Sequence, residues 1–246
     1  MAAEKRLIIN ADDFGISPGV NRGIIEAHVH GVVTSASAMT RGPAARQAAE
    51  LAREYGKLGV GLHVDLGEWI YRDGRWQALY EVVRADDADA VEREARRQLD
   101  DFRELFGRDP DHLDSHQHAH RDEPARSVLL RIAREIGVPL RHFSPIEYRG
   151  QFYGQSDEGE SFPDLIGVDA LLRILGDLPA GATELGCHPG YADSLPSIYA
   201  SERQIELRTL CDPRVREFLN RAGVRLCSAR EVSVALFTVP RPATRR

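Results

Sequence analysis

Short apolar runs alternate with longer stretches of helical periodicity along most of the chain, and this alternation predicts repeated βα units. LIIN (7–10), VTSASAM (33–39), LGVGLHV (58–64), HLDSH (112–116), PLRHF (139–143), ATELGCH (182–188) and GVRLCS (223–228) read as seven strands. Between them, VNRGIIEAHVHG, AARQAAELAREYG, DAVEREARRQLDDFRELFG, PARSVLLRIAREIG, DALLRILGDL and SERQIELRTLCDPRVREFLNRAG carry apolar residues at helical spacing, and several end in Gly, as helix C-termini commonly do. The pattern favours a parallel sheet, either open or closed into an incomplete barrel. GEWIYRDGRWQALY and SPIEYRGQFYGQSDEGESFPD are left as long loops. They hold both tryptophans and Tyr71, Tyr80, Tyr148 and Tyr153, and loops of that length in a compact domain are often functional. No linker, internal repeat or low-complexity tract divides residues 1–246, so one domain is expected.

Composition narrows the function more than the fold. A formal charge of -6, with 32 basic residues spread among 38 acidic ones, provides no basic stripe for nucleic acid. The N-terminal apolar run is too short for a signal segment, and no stretch approaches the length of a membrane span, so a soluble, cytoplasmic protein is expected. Cys187, Cys211 and Cys227 are odd in number and lack CxxC spacing, which suggests neither a disulfide framework nor a cysteine zinc site.

In parallel βα folds, functional groups collect at the carboxyl ends of strands. Asp12 and Asp13 follow the first strand, His63 ends the third, Asp114, His116 and His118 end the fourth, and His188 ends the sixth. A single His at a strand end is usually structural. DSHQHAH is harder to dismiss, because alternate histidines on an extended chain share one face. One carboxylate and two imidazoles from three strand ends would suit a divalent cation with positions left open, and water bound there becomes acidic enough to attack a carbonyl. One Asp would then bind metal while its neighbour takes the proton. Adjacent strand residues face opposite ways, so both can reach a site only if the strand has broken, and Phe14 and Gly15 are expected to supply that break.

GISPG (15–19) formally matches a G-x-S-x-G nucleophile elbow. The residue after that Ser must donate its backbone N–H to the oxyanion, and Pro18 has none. Ser17 as a helix N-cap with Pro18 at the first helical position explains the same letters. P-loop, G-x-G-x-x-G and H-E-x-x-H motifs are absent.

NADDFGIS, GLHVDL, HLDSHQHAH and ELGCHPGY, in this order, resemble the YdjC family of carbohydrate deacetylases, which includes chito-oligosaccharide and hopanoid-associated deacetylases; the resemblance runs from Leu7 to about Val234. It implies a TIM-like (β/α)7 barrel, hydrolysis of an N-acetyl group from an amino sugar or its conjugate, one divalent metal ion and, by extension, a homodimer. By position the implied metal ligands are Asp13, His63 and His116, the base is Asp12 and the general acid is His188. Arg203 could reach the site, although a helix-surface charge is the preferred reading. His118, His120 and Arg141 are candidates for orienting ligands or binding hydroxyls, and Trp69, Trp76, Tyr153 and Tyr191 for stacking on sugar faces. The ligand set accepts Mg2+, Zn2+, Mn2+ or Co2+. Two alternatives stand beside this reading. One is a metal-dependent phosphoesterase, for which His118 and Asp114 would supply ligands to a second ion; the other is a non-catalytic carbohydrate-binding protein on the same fold.

Overall fold

The computed structural model describes residues 4–192 and 199–232. Val234, where the family resemblance ends, lies outside the described residues. The sheet is built on β1 (Lys5–Phe14), whose residues from Leu7 onward are all buried. On one side follow β2 (Ser35–Ala38), β3 (Gly59–Val64) and β6 (Leu113–Ser115); on the other lie β8 (Gly181–Cys187) and β7 (Glu147–Arg149). β9 (Val224–Leu226) pairs with Lys5–Leu7, beside the half of β1 that β2 leaves free. Every ladder in this sheet is parallel, as crossover connections through helices require.

Burial on both faces explains why these strands read as continuous apolar runs. Leu7, Ile9, Val60, Leu62, Leu113 and Leu185 form one core with residues from the covering helices α1 (Pro18–Val29), α2 (Ala45–Glu54), α3 (Ala88–Phe106), α4 (Ala125–Ile136), α5 (Val168–Gly176), α6 (Ala200–Leu210) and α7 (Pro213–Arg221). The result is a curled parallel sheet of the half-barrel kind.

Three expectations change in detail. PLRHF does not form a strand: Leu113 N–H donates to Pro139 O and Arg141 N–H to Leu113 O, but His142 then takes a left-handed φ of 66°. The chain turns away, and β7 replaces this segment beside β8. Among the described residues no ladder joins β6 to β7, so the ring implied by a (β/α)7 barrel is left without a seam of strand hydrogen bonds at this point. The last helical pattern divides into α6 and α7, because Asp212 caps the second helix through its side chain and Pro213 occupies the first position.

The first long loop is a hairpin. β4 (Gly67–Arg72) and β5 (Arg75–Glu81) pair antiparallel around Asp73-Gly74, both at positive φ, as a two-residue primed turn requires. Tyr71 and Trp76 face each other across it with ring centroids 5.7 Å apart.

Helix α1 begins as expected, with Ser17 Oγ accepting from Val20 N–H and Pro18 following. Its Gly23 packs against the loop after β8 so closely that a Cβ would lie 2.5 Å from Gly190 Cα. Gly to Ala inside a helix normally stabilises by about 1 kcal/mol through propensity. Here the contact is with backbone, so Gly23→Ala is expected to destabilise by about 1–3 kcal/mol through overpacking. Urea unfolding monitored by circular dichroism reads the sign, and an unchanged or raised midpoint would contradict this packing.

Candidate active site

Asp13 takes a left-handed φ of 68°, and the β1–β2 register shifts between Ala11 and Phe14. The expected break therefore lies inside the strand, at Asp13 itself, rather than at Phe14 and Gly15. This bulge lets both neighbouring carboxylates reach the same end of the sheet. They are nearly inaccessible to solvent, at 3% for Asp12 and 2% for Asp13.

The two are bonded differently. Arg141 Nη1 donates to Asp12 Oδ2 at 2.7 Å and Nη2 to Oδ1 at 2.8 Å, while Asn10 Nδ2 donates to Oδ1. Asp13 Oδ2 accepts from Arg203 Nη2 at 2.5 Å, but its Oδ1 is buried with no hydrogen-bond partner. That free oxygen lies 3.5 Å from His63 Nε2 and 3.3 Å from His116 Nδ1.

His63 sits on β3 with Nδ1 bonded to Asp114 Oδ1 at 2.8 Å. Burial favours neutral Asp114, but Arg141 and His63 outweigh it and hold the carboxyl well below its usual range. Nδ1–H therefore donates, and the Nε2 lone pair points towards Asp13, the arrangement usual for histidine ligands. Burial opposes charging His116, yet Asp13 and Glu68 beside it lift its pKa to about 10. Burial likewise opposes charging His63, but Asp114 most strongly, then Asp12 and Asp13, raise its pKa. Three lone-pair donors facing one another in a field that demands positive charge suit a divalent cation. One ligand atom from each of Asp13, His63 and His116 lies within 4.8 Å of the others.

His188 follows β8, with Nε2 3.9 Å from Asp12 Oδ2. Its backbone N–H donates to Glu206 Oε2, and Tyr199 Oη donates to Glu206 Oε1 at 2.5 Å. Burial lifts Glu206 to about 8. Burial depresses His188 to about 4 against the pull of Asp12 and Asp13, and Arg203 adds to the depression. The ring is enclosed edge-on by Tyr153 and Tyr199, which stack on each other at 4.7 Å.

These groups line a cavity of about 440 Å³, walled on one side by hairpin residues Trp69, Tyr71 and Trp76 and on the other by Phe152 and Tyr153. Trp69 is held through its backbone, which exchanges two hydrogen bonds with the Gln117 side chain. His118 also borders the cavity. Two expected substrate contacts are not there. The Arg141 side chain is fully buried behind Asp12 and bonded to Asp12, Asp114 and Glu184, which leaves orienting rather than hydroxyl binding as its geometry. Tyr191 points away from the cavity, and its hydroxyl donates to Glu26 on α1. DSHQHAH is not one extended face either, because the strand stops at Ser115 and Gln117 and His118 adopt left-handed φ of 49° and 54°. His116 turns towards Asp13, whereas His118 and His120 turn towards His142.

The sequence model of the YdjC-like proteins matches residues 6–221. The chain belongs to the YdjC-like family. Among its relatives, a carbohydrate deacetylase of Geobacillus stearothermophilus is 36% identical, with 91% of this chain and 96% of the relative aligned. A chitooligosaccharide deacetylase of Serratia marcescens is 32% identical over 93% of this chain and all of its own length. A solved structure from Enterococcus faecalis V583, of a proposed cellobiose-phosphate cleavage protein, superposes with a TM-score of 0.78 at 28% identity, covering 94% of this chain and 99% of that one. The family 4 carbohydrate esterase of Streptomyces lividans, at 13% identity and a TM-score of 0.56 over 92% of this chain and 93% of that one, shares the fold.

Sequence reasoning places Arg203 on a helix surface and passes over Glu206. In this YdjC-like chain both are buried, on the inward face of α6 with Glu202. The signal was available: 201–210 carries charges around the helix at helical spacing, so it has no charge-free face to turn towards a core and must bury some of them if it packs.

Because His116 is protonated up to about pH 10 in the metal-free protein, a cation bound by Asp13, His63 and His116 must expel a proton. Mn2+, which favours the carboxylate-containing set, is expected to bind about tenfold more tightly per pH unit between pH 6 and 9. Electron paramagnetic resonance titration reads this, and a pH-independent affinity would count against these ligands.

Proposed function

We propose that the protein is a metal-dependent carbohydrate deacetylase that hydrolyses the acetyl amide of an N-acetylated amino sugar. The observation that carries this reading is the unpartnered Asp13 oxygen between His63 and His116, with ionised Asp12 and His188 beside it in an aromatic-walled cavity. The names of the YdjC-like relatives point to the same chemistry. A divalent ion held by Asp13, His63 and His116 would supply Lewis acidity, lowering the pKa of water and polarising the acetyl carbonyl.

The remaining steps belong to the side chains. Asp12 takes the proton from the attacking water, and Arg141, bonded to both its oxygens, fixes its direction. His188, neutral at rest because burial depresses it, is the group next to Asp12 that can pass a proton to the departing sugar nitrogen. The proton it gives is thus one acquired during the cycle, not one carried in from solvent. Glu206 and the Tyr153–Tyr199 pair hold the His188 loop and ring. Trp69 and Trp76 offer faces on which pyranose rings stack, and Trp76, 54% exposed, extends that surface to the cavity mouth. Of the two second-ion ligands the phosphoesterase alternative calls on, Asp114 is already engaged by His63, Ser37 and Arg141, and His118 turns towards His120 and His142 instead of Asp114, which weighs against that reading.

Acetate release from N-acetylglucosamine oligosaccharides by the metal-loaded protein tests the reading. Asp12→Asn is expected to keep metal and lose a factor of about 10² or more in kcat, while His116→Ala loses metal and activity together. An Asp12→Asn enzyme with full activity would remove the base. Protein that binds metal yet releases acetate from no N-acetylated sugar would favour the binding-protein reading.

The pH profile separates the two ways of using His188. An acid protonated beforehand with an ordinary pKa would make kcat/KM fall about tenfold per unit above pH 6.5. With the ring depressed to about 4, no such limb is expected between pH 6.5 and 8.5. A steep fall in that range would contradict the assignment.

A further inference from the structure

We infer that His118, His120 and His142 form a second metal site, for a zinc-class divalent ion, separate from the Asp13 site. It does not rest on the deacetylase reading.

One nitrogen from each imidazole lies within 4.8 Å of the other two, close enough for one ion to meet all three. The rings face one another at centroid distances of 5.2 to 5.8 Å. Each has a buried nitrogen with no hydrogen-bond partner: Nδ1 of His118, Nε2 of His120 and Nε2 of His142. His120 has no solvent exposure, so its unpartnered nitrogen has no water to turn to. Buried polar atoms are normally paired, and three orphans on three converging rings share one explanation.

On two of the three rings the opposite nitrogen faces a hydroxyl oxygen, as the second nitrogen of a ligand histidine commonly does. His120 Nδ1 is 2.7 Å from Ser115 Oγ and His118 Nε2 is 3.5 Å from Tyr148 Oη. In the tautomers where those nitrogens carry the hydrogen, the orphaned ones keep their lone pairs. The backbone is bent to the same end. His118 and His142 both sit at left-handed φ, 54° and 66°, which residues with a Cβ rarely adopt. Strain of that kind persists where it serves a site. The neighbouring Arg141 does not oppose a cation with its full charge, since Asp12, Asp114 and Glu184 meet it at 2.7 Å each.

Three neutral imidazoles without a carboxylate select zinc, copper or nickel over magnesium or calcium. The set leaves a fourth position open, and His142, the most exposed of the three, gives it a route to solvent. His118 borders the active-site cavity whereas His120 and His142 do not, so the ion would sit behind the cavity wall and fix the His116–Arg121 turn.

The test is Zn2+ stoichiometry of the metal-stripped full chain, by isothermal titration calorimetry and elemental analysis after desalting. Wild type is expected to hold two equivalents. His142→Asn, which keeps a residue tolerant of positive φ, and His120→Gln should each hold one. Asp13→Asn should also hold one, and its combination with His142→Asn none. Circular dichroism confirms that each variant is folded. A wild type holding a single equivalent that disappears in Asp13→Asn would overturn the proposal, as would two equivalents retained in both folded His variants. Because no substrate is present, failure of deacetylation leaves this count unaffected.

Discussion

Arg141 is the interaction on which the site is built. Its side chain has no solvent exposure, and a lone guanidinium there would be prohibitively costly to desolvate. It is tolerated because Asp12 from β1, Asp114 from β6 and Glu184 from β8 converge on it. Those strands lie on both sides of the seam where no ladder joins β6 to β7, and Arg141 comes from the segment crossing that seam. The ion pairs thus tie the two edges together where strand hydrogen bonds do not. Asp114 passes the constraint on to His63, and Arg203 does for Asp13 what Arg141 does for Asp12. Each carboxylate is fixed by a cation behind it, which leaves its remaining face to the cavity.

Backbone strain marks the same places. Outside the hairpin turn, the described residues other than glycine at positive φ are Asp13, Gln117, His118 and His142. Left-handed conformations cost an ordinary residue about 1–2 kcal/mol each, and folds rarely gather several in one region. Here they redirect side chains that a regular strand would send to alternating faces. Asp13 is rotated into line with Asp12, and two turns send His118 and His142 towards each other.

Much of this was legible in the letters, and the failures have common causes. The strands around LIIN, LGVGLHV and ATELGCH, the Ser17 cap and the gathering of Asp12, Asp13, His63 and His116 at strand ends follow from period, cap chemistry and the strand-end rule, which depend on local sequence, whereas singling out Asp13 and His116 from their neighbours came from the family resemblance. The hairpin was legible too, since Asp73-Gly74 between alternating residues is a hairpin turn signal, but length alone made it read as a loop. The burial of Arg141 and Arg203 depends on partners such as Asp12 and Asp13, 129 and 190 positions away, and that of Glu206 on how the chain folds back to bring His188 and Tyr199 onto it, none of which local sequence displays. The second histidine group was hidden because alternate spacing implies one shared face only while the chain stays extended, and it ceases to be extended at Gln117.

The pairing of Asp12 with Arg141 also bears on why two carboxylates sit side by side. Burial alone would make Asp12 a stronger base, but Arg141 overrides it and holds its pKa below the usual value. A carboxylate so stabilised keeps a proton poorly, so as the proposed base it would serve as a way-station rather than a resting place. His188, 3.9 Å away and also depressed, is an equally poor resting place. In the proposed reaction, two groups that both release protons readily would favour onward transfer over storage. Asp13, with one oxygen bonded to Arg203 and the other facing two imidazole nitrogens, has no such freedom. On the proposed reading, the adjacency of the two residues would place a fixed ligand and a transient proton carrier one peptide apart, and the bulge at Asp13 is what lets a single strand present both carboxylates.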